Sequence, residues 1–465
     1  MIVMKFGGTS NQDAAAMKNV IGIVKDHRAK NPVVVISAIA RGTNELEQAA
    51  RIAGRGDGAA AEQALAGMMN RHAAIIDHLL VDAAGRESLR LTFDLQKREL
   101  LRLLQGVCIL KELTPRTMDA ICSYGERLSS RLIAAGLVEA GIDAVWVDAK
   151  EFMLTDESFG RALPVMPEVE KRLEQRVRPL LASGRVPVTQ GFIGVTRAGD
   201  YTTMGRESSD FSASIIGAAM RADEVQIWTD VDGILTADPT VVPRARNVKR
   251  MSFEEAFELS HAGAKVLHPN TMLPVIDLGI PVSIRNSKNA GGPGTAVTNG
   301  GEAAGKQGVP TSIAFKSHVV LLTVSPRKRS GQYLFWEGIF SVLTRRGVPA
   351  GLTATSEYSM ALVAEAKGDV AGLARDLEEF GNVELLEGKG SVCVVGPGIR
   401  GAAGLMERAF AALAGIPVSM ISYGASALNL TVILDAGRVH DAVRRLHAEF
   451  FEREGPAEPF QTSAG

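Results

Sequence analysis

The stretch Val186–Pro239, VPVTQGFIGVTRAGDYTTMGRESSDFSASIIGAAMRADEVQIWTDVDGILTADP, decides the fold. Val186 to Val195 reads as a buried strand, Ser212 to Met220 as a helix of small and apolar residues, and VQIWTD as the next strand. Between the first strand and the helix, Thr202–Asp210 packs Thr, Gly, Arg, Ser and Asp into nine residues. A helix start leaves backbone amides unpaired and carries the positive end of the dipole, so Arg206, Ser208 and Ser209 there can meet a carboxylate or phosphate. Asp230, Asp232 and Asp238 follow the carboxyl end of the second strand, the edge at which open α/β sheets bind ligands. Clusters of this kind also occur as plain turns and caps, so the surrounding chain must decide.

Upstream the same arrangement recurs. Met1 to Phe6 is an apolar strand that runs into Gly7, Gly8, Thr9 and Ser10 and then a helix from about Asp13 to Lys30. Paired glycines let a backbone approach a phosphate, and Lys5 can place its ammonium beside the transferring oxygens; in this reading Lys5 is an exposed lysine at a turn, touching little of the core. Val33 to Ser37 is a further strand, ending in SAIARGTN at residues 37–44. Residues 45–115 carry helical periodicity, most plainly in LTFDLQKRELLRLLQ, and read as a helical subdomain or lid. Ile121 to Leu137 is a helix with Glu126 in its first turn, either a helix-start acid or a ligand for an ammonium group. Strand AVWVDA (144–149) and helix 167–182 continue an alternation that implies a mainly parallel open sheet sandwiched by helices. Beyond the opening stretch, Ser252–Gly263 reads as a helix that leads to Lys265, beside the site, and to His268, which reads as a packed histidine.

At 465 residues the chain is too long for one core. A net charge of −1 argues against nucleic acid or an anionic membrane as the main partner. No window reaches the roughly 18 uninterrupted apolar residues of a membrane span, and MIVMKFGG reads as a strand rather than a signal peptide, so a cytoplasmic location is expected. Cys108, Cys122 and Cys393 are scattered and lack metal-ligand spacing, which argues against disulfides and structural zinc. Gly291 to Gly308 is glycine-rich and polar and reads as a linker. After it, a strand–helix–strand–helix pattern appears twice, offset by about 70 residues. The first copy begins at Val319 and the second at Ser391, and each is small enough that the two should pack on one another. Expected domains are therefore 1–295, 313–387 and 388–457.

KFGGTS (5–10), SYGERLSSRL (123–132), TQGFIG (189–194), TTMGRESSD (202–210), WTDVDGILTADP (228–239) and GAKVLHP (263–269), in this order, resemble the signature blocks of the aspartate kinase family. The two tail repeats resemble its tandem ACT domains. The resemblance spans essentially the whole chain. It implies an amino-acid kinase-like α/β domain followed by two α+β ACT-like domains, and phosphorylation of the side-chain carboxylate of L-aspartate by ATP with Mg²⁺. That carboxylate is already ionised near neutral pH, which accounts for the lack of a general base. The resemblance further implies that Lys5 contacts the phosphates with the amides of Gly7 and Gly8, and that Asp210 orients Lys5. Arg206 would clasp the substrate α-carboxylate and Glu126 its ammonium, with Ser37, Thr43 and Ser209 lining the pocket. The nucleotide would lie over Trp228, Thr229, Asp230 and Asp232 with Lys265 nearby. An amino-acid effector would meet Thr355, Ser356 and Glu357, and the ACT pair would make a homodimer or higher homo-oligomer. Two other readings share the pattern, a different amino-acid kinase bearing ACT repeats and a catalytically silent amino-acid sensor; the intact Lys5, Glu126, Arg206 and Asp210 weigh against the second.

Departures from the family pattern are local. Glu207 and Ser208 stand where GG or NG is common, and Glu207 is expected to face solvent or pair with an arginine. Leu235 replaces a usual tyrosine and Thr240 a usual arginine, which is expected to thin the nucleotide contacts. In the first repeat, SPRKRSGQY (325–333) is strongly basic, and Gly351 stands where lysine-inhibited relatives place an aspartate. Weak or absent inhibition by lysine is the expectation, with a neutral amino acid such as threonine, or none, as effector.

Overall fold

The computed structural model describes residues 1–205, 208–264, 271–300, 307–327, 332–349, 351–366, 368–453 and 460–461. The chain forms two compact units, Met1–Ile234 with His268–Asn299, and Leu235–Leu267 with Gly300–Gly465.

In the first unit, the strands run in the order Ala144–Trp146, Val186–Gln190, Pro32–Ile36, Ile2–Phe6, Glu224–Thr229, Val282–Asn286 and Thr295–Thr298. All neighbours are parallel except the last pair. Ile2–Phe6 and Pro32–Ile36 are buried along their whole length, as expected of central strands covered on both faces. Helices Ala14–Asp26, Tyr124–Glu139 and Ser209–Met220 supply the cover. The lid-like block at 45–115 is built from helices Gly42–Ala53, Gly58–Leu79 and Ala83–Leu110. Among the described residues no helix is long and apolar enough to cross a membrane.

Two details of this unit differ from the sequence expectation. The strand read as Val186–Val195 breaks at Gly191, where an added Cβ would lie 2.7 Å from that of Ser209. Phe192 then takes φ 67° and donates its N–H to Ser212 Oγ at 2.9 Å, which locks the turn against the helix that starts at Ser209. The glycine-rich linker is also less than a linker, because Thr295–Thr298 joins the sheet antiparallel to Val282–Asn286.

The second unit holds a six-stranded antiparallel sheet in the order Leu352–Thr355, Met360–Glu365, Ser312–Pro326, Gly381–Val395, Asn429–Asp435, Val418–Tyr423. It consists of two modules of like topology, and the two long strands belong to both. Val319–Pro326 and Gly381–Lys389 complete the first module, whereas Ser312–Lys316 pairs with Ser391–Val395 and supplies the last strand of the second. The expected split into consecutive modules at 387/388 is therefore corrected: the second module takes a strand from upstream of the first. Its core also draws on Ala237, Val241, Val242 and Ala245, buried with Ile313, Val392, Leu434 and Val443. Ser312 Oγ donates to Leu235 O at 2.7 Å and Ile313 N to Thr236 O at 2.8 Å. The first unit ends at Asn299, close to the expected boundary at 295, but this apolar burial draws the segment Leu235–Leu267 out of the expected 1–295 domain and into the second unit.

Candidate active site

The site is assembled at the carboxyl edge of the parallel strands of the first unit. Lys5 is the penultimate residue of the central strand and forms an ion pair with Asp210, in the first turn of helix Ser209–Met220. Both are largely buried, with 11% and 14% of their side chains exposed. This corrects the expectation of an exposed turn lysine: the strand carries Lys5 beneath the helix start, where a carboxylate at the dipole's positive end awaits it. Gly8 is required by close approach, because a Cβ there would lie 3.0 Å from the carbonyl oxygen of Ala38.

Ala38 in turn joins this glycine turn to the other half of the site. Its N–H donates to Glu126 Oε1 at 3.1 Å, while Ser129 Oγ donates to Ser37 O at 2.7 Å. Glu126 is 3% exposed, and its second oxygen, Oε2, is buried without a hydrogen-bond partner. Burial pushes its carboxyl up to about 8, against the opposing effect of the Ala38 amide. An orphaned acceptor of this kind is costly unless something cationic meets it. Thr43 sits half-buried in the first turn of helix Gly42–Ala53, and Ser209 is buried at the start of its own helix.

The third part of the edge follows strand Glu224–Thr229. Ser287 donates its N–H and its Oγ to Thr229 O, at 2.8 and 3.0 Å, and Ser10 Oγ lies 2.7 Å from Ser287 Oγ. Thr229 Oγ1 donates to Asp230 Oδ1 at 3.3 Å, and Asn286 Nδ2 to Asp232 Oδ1 at 2.9 Å. Asp230 is exposed and Asp232 half-buried, so this loop presents carboxylates at the rim.

Two expected contacts are corrected. The Trp228 side chain is fully buried, stacked on Phe6 at 5.9 Å with His27 on its edge at 5.7 Å, so it is part of the core and offers no ring to a nucleotide. Burying such a ring contributes on the order of 3 kcal/mol. Trp228 O accepts the N–H of Gly7 at 3.1 Å, so Gly7 has no amide to give a phosphate. Arg206, Glu207, Lys265 and His268 lie outside the described residues. Leu235 packs against the core of the second module, and Thr240 donates its N–H and Oγ1 to Asp238 Oδ1 at 2.8 and 2.6 Å. Thr355, Ser356 and Glu357 are exposed at the turn of the hairpin Leu352–Thr355/Met360–Glu365, where Ser356 N donates to Ser359 O at 2.8 Å.

Sequence reasoning missed Asp119. It is 2% exposed and its carboxylate receives Gly160 N and Thr203 N at 2.8 Å and Thr203 Oγ1 at 2.7 Å. Burial pushes its carboxyl above the ordinary value while these three bonds pull it back. It fixes the strand Tyr201–Thr203 that leads into the turn before Ser209. A lone acid in the apolar run TMDAIC, just before SYGE, was the available signal.

Comparison with known proteins identifies the family. Residues 1–286 match the amino acid kinase family and residues 392–450 an ACT domain. Aspartokinase 1, chloroplastic, of Arabidopsis thaliana is 36% identical over 97% of this chain and 80% of its own length. Lysine-sensitive aspartokinase 3 of Escherichia coli is 34% identical over 97% of this chain and 99% of its own length. The crystal structure of E. coli aspartokinase III in complex with aspartate and ADP superposes with a TM-score of 0.85 at 32% identity, covering 97% of this chain and 100% of that one. With a matching fold, a matching catalytic family and similarity over nearly the whole chain, the chain belongs to the aspartokinase family, the ATP-dependent kinases of the aspartate side-chain carboxylate.

Proposed function

We propose that the two halves of this edge divide the work of aspartate phosphorylation, with Lys5 and Asp210 on the phosphoryl side and Glu126 on the amino-acid side. The observation that carries the reading is the buried, unpartnered Oε2 of Glu126, beside a turn whose backbone also closes on the phosphate loop. The α-ammonium of aspartate would satisfy that oxygen and restore the carboxylate's charge. Ser37, Thr43 and Ser209 would line the same pocket, and Arg206 would hold the α-carboxylate. The side-chain carboxylate of the substrate is itself the nucleophile, so no protein base has to act. Catalysis is positioning plus neutralisation of charge on the transferring group. Lys5, held in place by Asp210, is aimed at that charge.

Magnesium usually keeps several waters and sits on substrate phosphates with one or two carboxylates. Among the described residues no group of three or more metal-ligating side chains is preassembled, so the ion would arrive bound to ATP, which suits a rim that offers single carboxylates such as Asp230. The nucleotide would lie along Thr229, Asp230 and Asp232, with Lys265 nearby, and the Gly8 turn would close on its phosphates. Effector control is assigned to the ACT modules around Thr355–Glu357, with self-association through the same modules.

The test is ADP release with aspartate, glutamate and N-acetylglutamate in parallel, with the acyl phosphate trapped by hydroxylamine. Turnover with aspartate alone is expected. Equal or faster turnover with another acceptor would overturn the assignment of Glu126 to an α-ammonium. A dose series with lysine and threonine tests control, with weak or no response to lysine expected.

A further inference from the structure

We propose a second ligand site, for a small polyanion, beside the turn Ala40–Arg41 that adjoins the substrate pocket. A cleft of about 740 Å³ opens between helix Ala14–Asp26, helix Gly58–Leu79 and the turn at Ala40–Arg41. That volume is within the range of about 300–1,000 Å³ usual for small-molecule sites. None of Lys5, Gly8, Glu126, Asp210 or Asp230 lines it, so it is a separate place from the one assigned to ATP and aspartate.

Its lining carries more basic than acidic side chains. Lys18, Arg41 and Arg71 line it with one acid, Asp13, whose carboxylate caps helix Ala14–Asp26 by accepting Ala16 N at 2.8 Å. Arg71 is held by Glu45 at 2.8 Å and donates to Ala40 O at 3.3 Å, which fixes one cation rigidly at the wall. Lys18 and Arg41 are exposed and make no ion pair within 4.0 Å among the described residues. Like charges gathered around a concavity focus a positive potential there and attract an anion.

Arg41 supplies an independent observation. Its backbone lies at φ 66°, ψ −2°, at the start of helix Gly42–Ala53. Glycine adopts that conformation freely, whereas an arginine is strained in it. A strained residue that projects a charge at a cleft is a mark of use rather than of packing. The ligand class that fits is a small molecule with two or more carboxylates or phosphates, shared between the Lys18, Arg41 and Arg71 cations. Because Ala38 on the same turn holds Glu126, occupancy would be felt at the amino-acid side of the active site.

The test is calorimetric titration of the full chain with citrate in one arm and pyrophosphate in the other, in the presence of saturating ADP. One probe or both should bind at one site per chain, the stronger identifying carboxylate or phosphate as the preferred group. Arg41→Gly with Lys18→Ala should weaken that binding by roughly tenfold or more. Arg41→Gly suits the backbone, so turnover of aspartate should stay unchanged, and Lys18→Ala alone gives a second reading on an exposed helix position. Absence of binding in both arms, binding seen only without ADP, or binding indifferent to both substitutions would each overturn the proposal. Those results leave the aspartate assignment standing, since turnover is read separately.

Discussion

In the proposed division of labour, the two halves of the active-site edge await their ligands differently, one with its polar groups paired and the other with one unpaired. On the phosphoryl side, Lys5 and Asp210 neutralise each other before anything binds. On the amino-acid side, Glu126 waits with one oxygen satisfied by Ala38 N and the other by nothing. The first is a preassembled device whose loss damages both fold and chemistry; the second carries its cost in the empty state and recovers it only with a ligand.

Breaking the phosphoryl side has the largest expected effect. Lys5→Ala should reduce kcat by on the order of 10³ or more, the size of effect a positioned cation has on phosphoryl transfer. It also strands the mostly buried Asp210 carboxylate, and breaking such a pair costs about 3–5 kcal/mol, visible as a lower Tm. Adding Asp210→Asn should restore much of the Tm and none of the activity. A Lys5→Ala variant with ordinary turnover would end the division of labour drawn above.

Glu126→Gln should raise KM for aspartate roughly 10- to 100-fold, the value of one charged hydrogen bond, and leave KM for ATP nearly unchanged. It should also change the pH profile. In the free enzyme kcat/KM for aspartate should climb as pH rises through about 8, because only the ionised carboxylate attracts the ammonium; the glutamine variant should lack that limb. The stability sign runs the other way. The folded-state value of about 8 lies above the ordinary 4.5, so the folded protein binds the extra proton and wild-type stability falls from about pH 4.5 to about pH 8. The Tm advantage of Glu126→Gln should therefore widen across that window, and an advantage that shrinks with pH would refute the burial argument.

Asp119→Ala leaves the N–H groups of Gly160 and Thr203 without an acceptor, for a loss of about 1–3 kcal/mol and a few-fold rise in KM for aspartate. The smallest effect belongs to the second unit. Thr236→Val removes the contact with His447 Nε2 at 2.9 Å and with Arg246 N at 2.9 Å, about 1 kcal/mol of stability with aspartate KM unmoved. A large KM change there would mean the asymmetry is not confined to the catalytic edge.

Much of this was legible in the chain itself. Strands that end in small polar residues before a helix located the edge, and motif order located the family. Burial of individual side chains was not legible. Lys5 precedes two glycines and so reads as the lip of a turn, yet the strand is central and the helix start lies over it. Trp228 stands in the ligand-side motif, but alternation along its strand turns the ring onto Phe6 and leaves only its carbonyl at the edge. Asp119 escaped because its partners are 41 and 84 residues away. The strand Ser312–Lys316 reads as the lead-in to its longer continuation, and only pairing reveals that it belongs to the other module.

That borrowed strand has a consequence for how the chain is made. Ser312 finds its partner Val395 only after about 80 more residues have been synthesised, a delay of several seconds at about 5–20 residues per second. Until then it offers an unpaired edge to any neighbouring nascent chain. Pairing of Val319–Pro326 with Gly381–Lys389 brings their continuations, Ser312–Lys316 and Ser391–Val395, side by side. The first module thus acts as the template on which the second is finished, and fragments that begin after Lys316 should fail to complete it.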